Sequence, residues 1–172
     1  MTKVGIYKIS HSVKNPCFET EEAACFDLRC HLDHVEKIKG YSKSNIVLEI
    51  SKQKDESIII EPGQRILIPT GLIFVIEKGY SLRIHPRSSM ALKKGLTLCN
   101  AQGIIDSDYY HETFVALHNI SMIKQKIFSG DRICQAEIVE SNCNDKIEFE
   151  EITIPPRQKT SRKGGFGSTG ES

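Results

Sequence analysis

The sequence predicts an all-β protein, a barrel or a sandwich, on three observations. Apolar residues recur mostly with period two or in short β-branched runs, the pattern of half-buried strands. Turn-forming residues separate those runs at short intervals. Helical periodicity is confined to 31–39 and to a single turn at 90–94, neither of which could organise a fold. At 172 residues the chain is long enough for one domain with a real core and too short for two of typical size.

Taken in order, Ala24-Cys25-Phe26-Asp27-Leu28 reads as an early strand bearing one carboxylate. Residues 30–57 are lysine-rich and polar, interrupted by Gly40 and Ser42-Lys43-Ser44, and predict a long excursion carrying one hairpin, with Ile46-Val47-Leu48 in a strand. Ile58-Ile59-Ile60, Ile66 with Ile68, Tyr80 with Leu82 and Ile84, Thr113 with Val115 and Leu117, and Ile147 with Phe149 are the remaining strand signals. Between them lie Pro62-Gly63, Lys78-Gly79, Ser129-Gly130-Asp131 and Asn142-Cys143-Asn144-Asp145, residues that tolerate turn dihedrals or bond their own backbone. From Pro155-Pro156 the chain turns basic and then glycine-rich, which predicts a domain over 1–154 and a flexible tail over 155–172.

No apolar run approaches the roughly 18 residues of a membrane span, and the first residues, MTKVGIYKIS, lack the apolar stretch of a secretory signal. Six cysteines occur without a CxxC pair or zinc-ligand spacing, so they are expected to be reduced thiols in a reducing cytoplasm. A net charge of +1 leaves no surplus of cations to coat a nucleic acid, so a small partner is expected and stable nucleic-acid binding is not.

Three constellations carry chemistry. In Gly103-Ile104-Ile105-Asp106-Ser107-Asp108-Tyr109, two carboxylates two positions apart would share one side of a strand. One of them could serve a hydrolase as general base, or the group could simply cap a turn. Pro86-Arg87-Ser88-Ser89 offers a guanidinium fork and hydroxyls suited to phosphate oxygens, or an ordinary helix cap with a solvated arginine. The tail bears Arg157, Lys159, Arg162 and Lys163, then glycines and Phe166: a cationic arm that could wrap a triphosphate and stack on a base, or a disordered terminus. Gly130-Asp131-Arg132-Ile133-Cys134-Gln135 is a further, weaker signal, a hairpin turn followed by polar residues.

Together and in this order, the five stretches from Ala24 to Gly170 resemble the five motifs of the homotrimeric dUTPase family. The resemblance implies a jelly-roll-like β-barrel that assembles as a homotrimer with active sites shared between subunits, hydrolysing dUTP to dUMP and pyrophosphate. Such an activity limits uracil incorporation into DNA and supplies dUMP for dTMP synthesis. It implies Asp106 as the base for a water attacking the α-phosphorus, and Asn100 with the backbone of Gly103 and Ile104 reading the uracil edge. Tyr109 would lie under the deoxyribose. Arg87, Ser88, Ser89 and Gln135 would contact phosphates, and Asp27 would hold Mg²⁺ through water. Arg162, Gly165, Phe166 and Ser168 would belong to a closing tail.

Three departures stand out against that pattern. Residues 30–57 look like an insertion, Arg162 sits one position away from the family's arginine before the paired glycines, and His111 replaces a common glycine. A rival reading is dCTP deaminase, which shares the superfamily fold and for which Glu112 would be the acid/base. Another is a nucleotide sensor or dual-role enzyme that contacts a regulatory protein partner through 30–57. The insertion suits a divergent or viral member, in which case the location would be the host cytoplasm.

Overall fold

The computed structural model describes residues 3–141 and 146–157. Its strands are β1 (Gly5–Lys8), β2 (Phe26–Arg29), β3 (Lys37–Tyr41), β4 (Val47–Ser51), β5 (Ser57–Ile60), β6 (Arg65–Pro69), β7 (Leu72–Val75) and β8 (Tyr80–Pro86). After the short helix α1 (Ser88–Lys94) come β9 (Leu96–Leu98), β10 (Gly103–Asp106), β11 (Phe114–Asn119), β12 (Gln125–Phe128) and β13 (Arg132–Glu140). The all-β expectation holds. Two larger sheets, in the orders β10-β8-β13-β2 and β4-β3-β6-β11-β9, are accompanied by two-stranded pairs β1-β7 and β12-β5. Pairings between described strands are antiparallel throughout.

Alternation along the strands decides which face is inside. In β2, Phe26 and Leu28 are buried while Asp27 and Arg29 emerge on the other face. In β8, Leu82 and Ile84 point into the core, and Arg83 and His85 point away from it. Leu28, Ile58, Ile60, Ile68, Leu82, Leu96 and Ile127 are fully buried. Each such side chain stabilises the fold by about 1.5–3 kcal/mol. The buried Asn119 leaves no polar atom unpaired: its amide nitrogen donates to the carbonyls of Ile60 (2.9 Å) and Ile123 (2.8 Å), and its oxygen accepts from the Ser121 N–H (3.0 Å).

The compact unit spans Met1–Ser141, and Asn142–Ser172 form a second unit. Within the second, residues 146–157 are exposed and carry no strand. Ile147 and Phe149, expected in a strand, are 45% and 96% exposed. Their alternation is present, but no described strand offers them a hydrogen-bond ladder. Helix is also absent at 31–39. Leu32 is fully buried, and Asp33 accepts hydrogen bonds from Ser12 Oγ (2.6 Å) and Ser129 Oγ (3.2 Å), contacts that outweigh a weak helical propensity. The hairpin expected in 30–57 is β3–β4, and β3 also pairs with β6. Five cysteines are free, and burial pushes the Cys30 and Cys134 thiols far above their ordinary range; Cys143 lies outside the described residues.

His31 sits beneath the β6–β7 turn, 6% exposed, with no hydrogen-bond partner for Nε2 and Asp33 Oδ2 4.0 Å away. Gly71 makes that packing possible. Its φ is +70°, and a Cβ there would stand 2.5 Å from Val13 Cγ2 and 2.8 Å from His31 Cδ2. Burial lowers the His31 pKa, and the neighbouring Asp33 only partly offsets this. The unfolded chain therefore binds a proton near pH ~6.5 that the folded chain refuses until lower pH. Stability should fall as the pH drops below about 6.5, and His31→Gln should flatten that fall. Thermal melts of both proteins at about pH 7 and about pH 5 measure the difference, and equal losses would remove His31 as the cause.

Candidate active site

Two groups of polar residues stand out on the four-stranded sheet. The first follows from register. Asp27 on β2 lies opposite Gln135 on β13, which lies opposite His85 on β8, so the three form one row. Arg87, just past the end of β8, is the N-cap residue of α1 with extended backbone (φ −85°, ψ 134°). Its Nε meets Asp27 Oδ1 at 2.8 Å, and its Nη1 donates to the Arg132 carbonyl at 3.4 Å. The second Asp27 oxygen accepts from Arg132 Nη1 at 3.0 Å. Arg132 also reaches Glu19 (3.2 Å), as does Arg29 (3.6 Å). Three guanidiniums, Arg29, Arg87 and Arg132, thus face two carboxylates, Asp27 and Glu19, leaving an excess of one positive charge beside the exposed Ser88 and Ser89.

The second group surrounds β10. Gly103 is buried, and a Cβ on it would press on Ile84 Cβ at 3.1 Å and touch Asn100 Nδ2 at 3.6 Å, so glycine keeps β10 close to β8 beside that amide. Ala101, in the turn before it, has φ +57°. Ile104, Ile105, Asp106, Asp108, Tyr109 and Phe114 line a cleft of about 330 Å³. Asp106 is exposed at the strand's end, and its carbonyl accepts from the Tyr109 N–H at 3.1 Å, closing a tight turn. The Tyr109 hydroxyl donates to the Glu112 carbonyl at 3.0 Å, and the His111 ring packs edge-on against Tyr109 at 5.6 Å. Asp106 and Asp108 share the cleft, although the strand ends at Asp106 and Asp108 reaches it from the turn.

The structure brings Asp27, Arg87, Ser88, Ser89 and Gln135 to one end of β8, and groups Asn100, Gly103, Ile104, Asp106 and Tyr109 around β10. It holds Asp106 apart from Arg87, although Gly103, opposite Ile84, lies toward the Arg87 end of β8. Asp106 pairs with Ser81, at the start of β8, whereas Arg87 lies beyond its other end. At a rise of ~3.3 Å per residue, the path from Ser81 to Arg87 is roughly 20 Å. Arg162, Gly165, Phe166 and Ser168 lie outside the described residues.

The sequence allows Arg132 a structural salt bridge as readily as a ligand contact, but its partners Asp27 and Glu19, and the Arg87–Asp27 pair, join distant parts of the chain and carry no local signal. The sequence also leaves Glu112 free for acid/base work. In the fold that carboxylate accepts from the Gly71 N–H at 2.7 Å and meets His34 Nε2 at 3.2 Å, with its side chain only 12% exposed. Glu112 is an anchor.

The dUTPase family model matches residues 33–170 of the chain. A deoxyuridine 5'-triphosphate nucleotidohydrolase of Nautilia profundicola is 38% identical over 169 residues, 98% of this chain and 99% of that protein. Among solved structures, a dUTPase of Streptococcus mutans aligns at 25% identity with a TM-score of 0.62, covering 81% of this chain and 97% of that one. A dUTPase of Staphylococcus bacteriophage 80alpha with dUpNHpp aligns with a TM-score of 0.74 at 18% identity, over 99% of each chain.

Asp27 holds two arginines, so Asp27→Asn should destabilise the protein by about 1–3 kcal/mol, the range for removing a charge-assisted partner from a half-buried site. Urea unfolding measures it. An unchanged unfolding free energy would mean the network does not tie β2 to β8 and β13.

Proposed function

The chain belongs to the dUTPase family, a family of hydrolases, and on that premise we propose how its residues divide the hydrolysis of dUTP. The observation that carries the proposal is the cleft beside β10, in which an exposed carboxylate, Asp106, lies one tight turn from the aromatic face of Tyr109. Asp106 takes the proton of a water as its oxygen bonds to the α-phosphorus. The bond from that phosphorus to the bridging oxygen breaks, and pyrophosphate leaves dUMP behind. β10 is an edge strand, so backbone groups around Gly103 and Ile104 remain available to a base. With Asn100 they read the uracil edge, rejecting cytosine by its hydrogen-bond pattern and thymine by its methyl group. The Tyr109 ring lies against the deoxyribose and leaves no room for a 2′-hydroxyl.

Arg87, Ser88, Ser89 and Gln135 bind the phosphates. Along β8, Arg87 stands about 20 Å from Asp106 and Gln135, opposite His85, about 13 Å, which supports sites completed between chains, in a homotrimer, rather than within one. Closure of the tail through Arg162, Gly165, Phe166 and Ser168 is the corresponding proposal for residues outside the described structure. The donor set suits Mg²⁺ carried on the nucleotide. There is no group of three His, Cys, Asp or Glu side chains among the described residues to cage a metal, but each Asp27 oxygen keeps a lone pair for a bound water. Mg²⁺ so held would draw charge off the triphosphate as the α–β linkage breaks.

A second role, contact with a protein partner through the β3–β4 hairpin, is favoured by Ile46 and Val47, 63% and 59% exposed at the start of an edge strand. Point substitutions test this better than deleting 30–57, because Leu32 and Ser57 in that stretch are core.

Pyrophosphate release with Mg²⁺ should be confined to dUTP among dUTP, dCTP, dTTP and UTP. Asp106→Asn should lower it by about 10²–10⁴-fold, the range for a general base. Ammonia release from dCTP, or an Asp106→Asn enzyme as fast as wild type, would overturn the assignment.

A further inference from the structure

The loop between β10 and β11 carries Tyr109, and its position is set by its far end. The Tyr109 hydroxyl is latched to the Glu112 carbonyl at 3.0 Å. The Glu112 side chain is bonded twice outside the loop, accepting at Oε1 from the Gly71 N–H (2.7 Å) and meeting His34 Nε2 at Oε2 (3.2 Å). Both anchor points are themselves immobilised. Gly71 is wedged in the β6–β7 turn, where Thr70 Oγ1 donates to the Thr113 carbonyl (2.7 Å) and the Thr113 N–H donates to the Leu72 carbonyl (2.8 Å). The His34 ring is stacked on the buried His31 ring, with centroids 5.3 Å apart and planes 21° apart, which restrains its rotation.

We propose that Glu112, held by Gly71 and His34, is a positioning residue for Tyr109 and so sets the discrimination of dUTP from UTP. The inference rests on the reading of Tyr109 as the residue beneath the sugar. Rejecting a single added hydroxyl by contact requires the aromatic face to be held to a fraction of an ångström, since a displacement of about 1 Å can change a rate by ~10²-fold. Tyr109's own local bonds cannot hold it that well. Its N–H bond reaches Asp106 at the end of β10 and its latch reaches the Glu112 backbone, so beyond that turn the ring is only as fixed as Glu112. Beside the backbone bonds of Thr113, the Glu112 carboxylate is a second tie between the loop and the β6–β7 turn, and it acts through a charge-assisted acceptor, the stronger class of hydrogen bond. His34 brings residues 30–57 into the same linkage, which gives the extra segment a role in substrate choice.

The test measures kcat and KM for dUTP and UTP with the full-length wild type, Glu112→Ala, Glu112→Gln, His34→Ala and Tyr109→Phe. Glu112→Ala should raise the ratio of UTP to dUTP kcat/KM by about tenfold. Most of that change should appear in the KM values. Gln keeps a carbonyl acceptor for the Gly71 N–H and should restore most of the discrimination. His34→Ala removes one of two anchors, and Tyr109→Phe removes the latch while keeping the ring, so both should relax the ratio by a smaller factor, about threefold. His34 is partly exposed, so its variant carries the test should Glu112→Ala fail to fold. Equal loss on both substrates in Glu112→Ala and His34→Ala, with the ratio unchanged, would make these residues merely structural and overturn the inference. A wild type inactive on dUTP would instead overturn the proposed function beneath it.

Discussion

The register of β8 between β10 and β13 is the constraint on which the site depends. Asp106 is fixed opposite Ser81 at one end of that strand, and Gln135 opposite His85 near the other, where Arg87 leads into α1. Neither end can slide independently. A slip of β8 by one residue would turn Arg83 and His85 toward the core and bring Leu82 and Ile84 out of it, exchanging buried apolar side chains for polar ones. The hydrophobic core therefore fixes the distance between the proposed catalytic carboxylate and the proposed phosphate ligands. The proposed chemistry inherits that distance as a requirement for more than one chain.

Ion pairing orders the proposed phosphate end. Arg87 is held by Asp27 through Nε, and Arg132 holds the other oxygen of the same carboxylate, so the guanidinium plane of Arg87 is set before any anion arrives. Such preorganisation spares the entropy of fixing a long side chain on binding. A phosphate there would compete with Asp27 for the same donors. The carboxylate is then a spacer as well as an outer-shell metal ligand in the proposed scheme, and its two roles follow from one position on β2.

Much of this was legible in the residues, and the limits were physical. The strands around Ile58, Ile66, Leu82 and Val115 were visible because buried alternation is local. The turns at Gly63, Gly79 and Gly130 were visible because each has positive φ. β1 buries no side chain and β12 buries one, so neither shows a buried alternation, and both are defined by their partners β7 and β5. Residues 31–39 read as helix because Asp33's hydrogen bonds to Ser12 and Ser129 come from distant parts of the chain. At the site, residue types pointed to Asp106, Arg87 and Tyr109. The pairings that hold them, Asp27 with Arg87 and Glu112 with Gly71, join separate strands and leave no spacing signal.

Whether each site is split between chains is tested most directly by subunit mixing. Asp106→Asn and Arg87→Ala proteins, each inactive alone, would be unfolded together and refolded as a mixture. If Asp106 of one chain works with Arg87 of another, random assembly should restore about a quarter of the wild-type sites. A mixture as inactive as its components, despite verified co-assembly, would place both residues in a site within one chain and contradict the account.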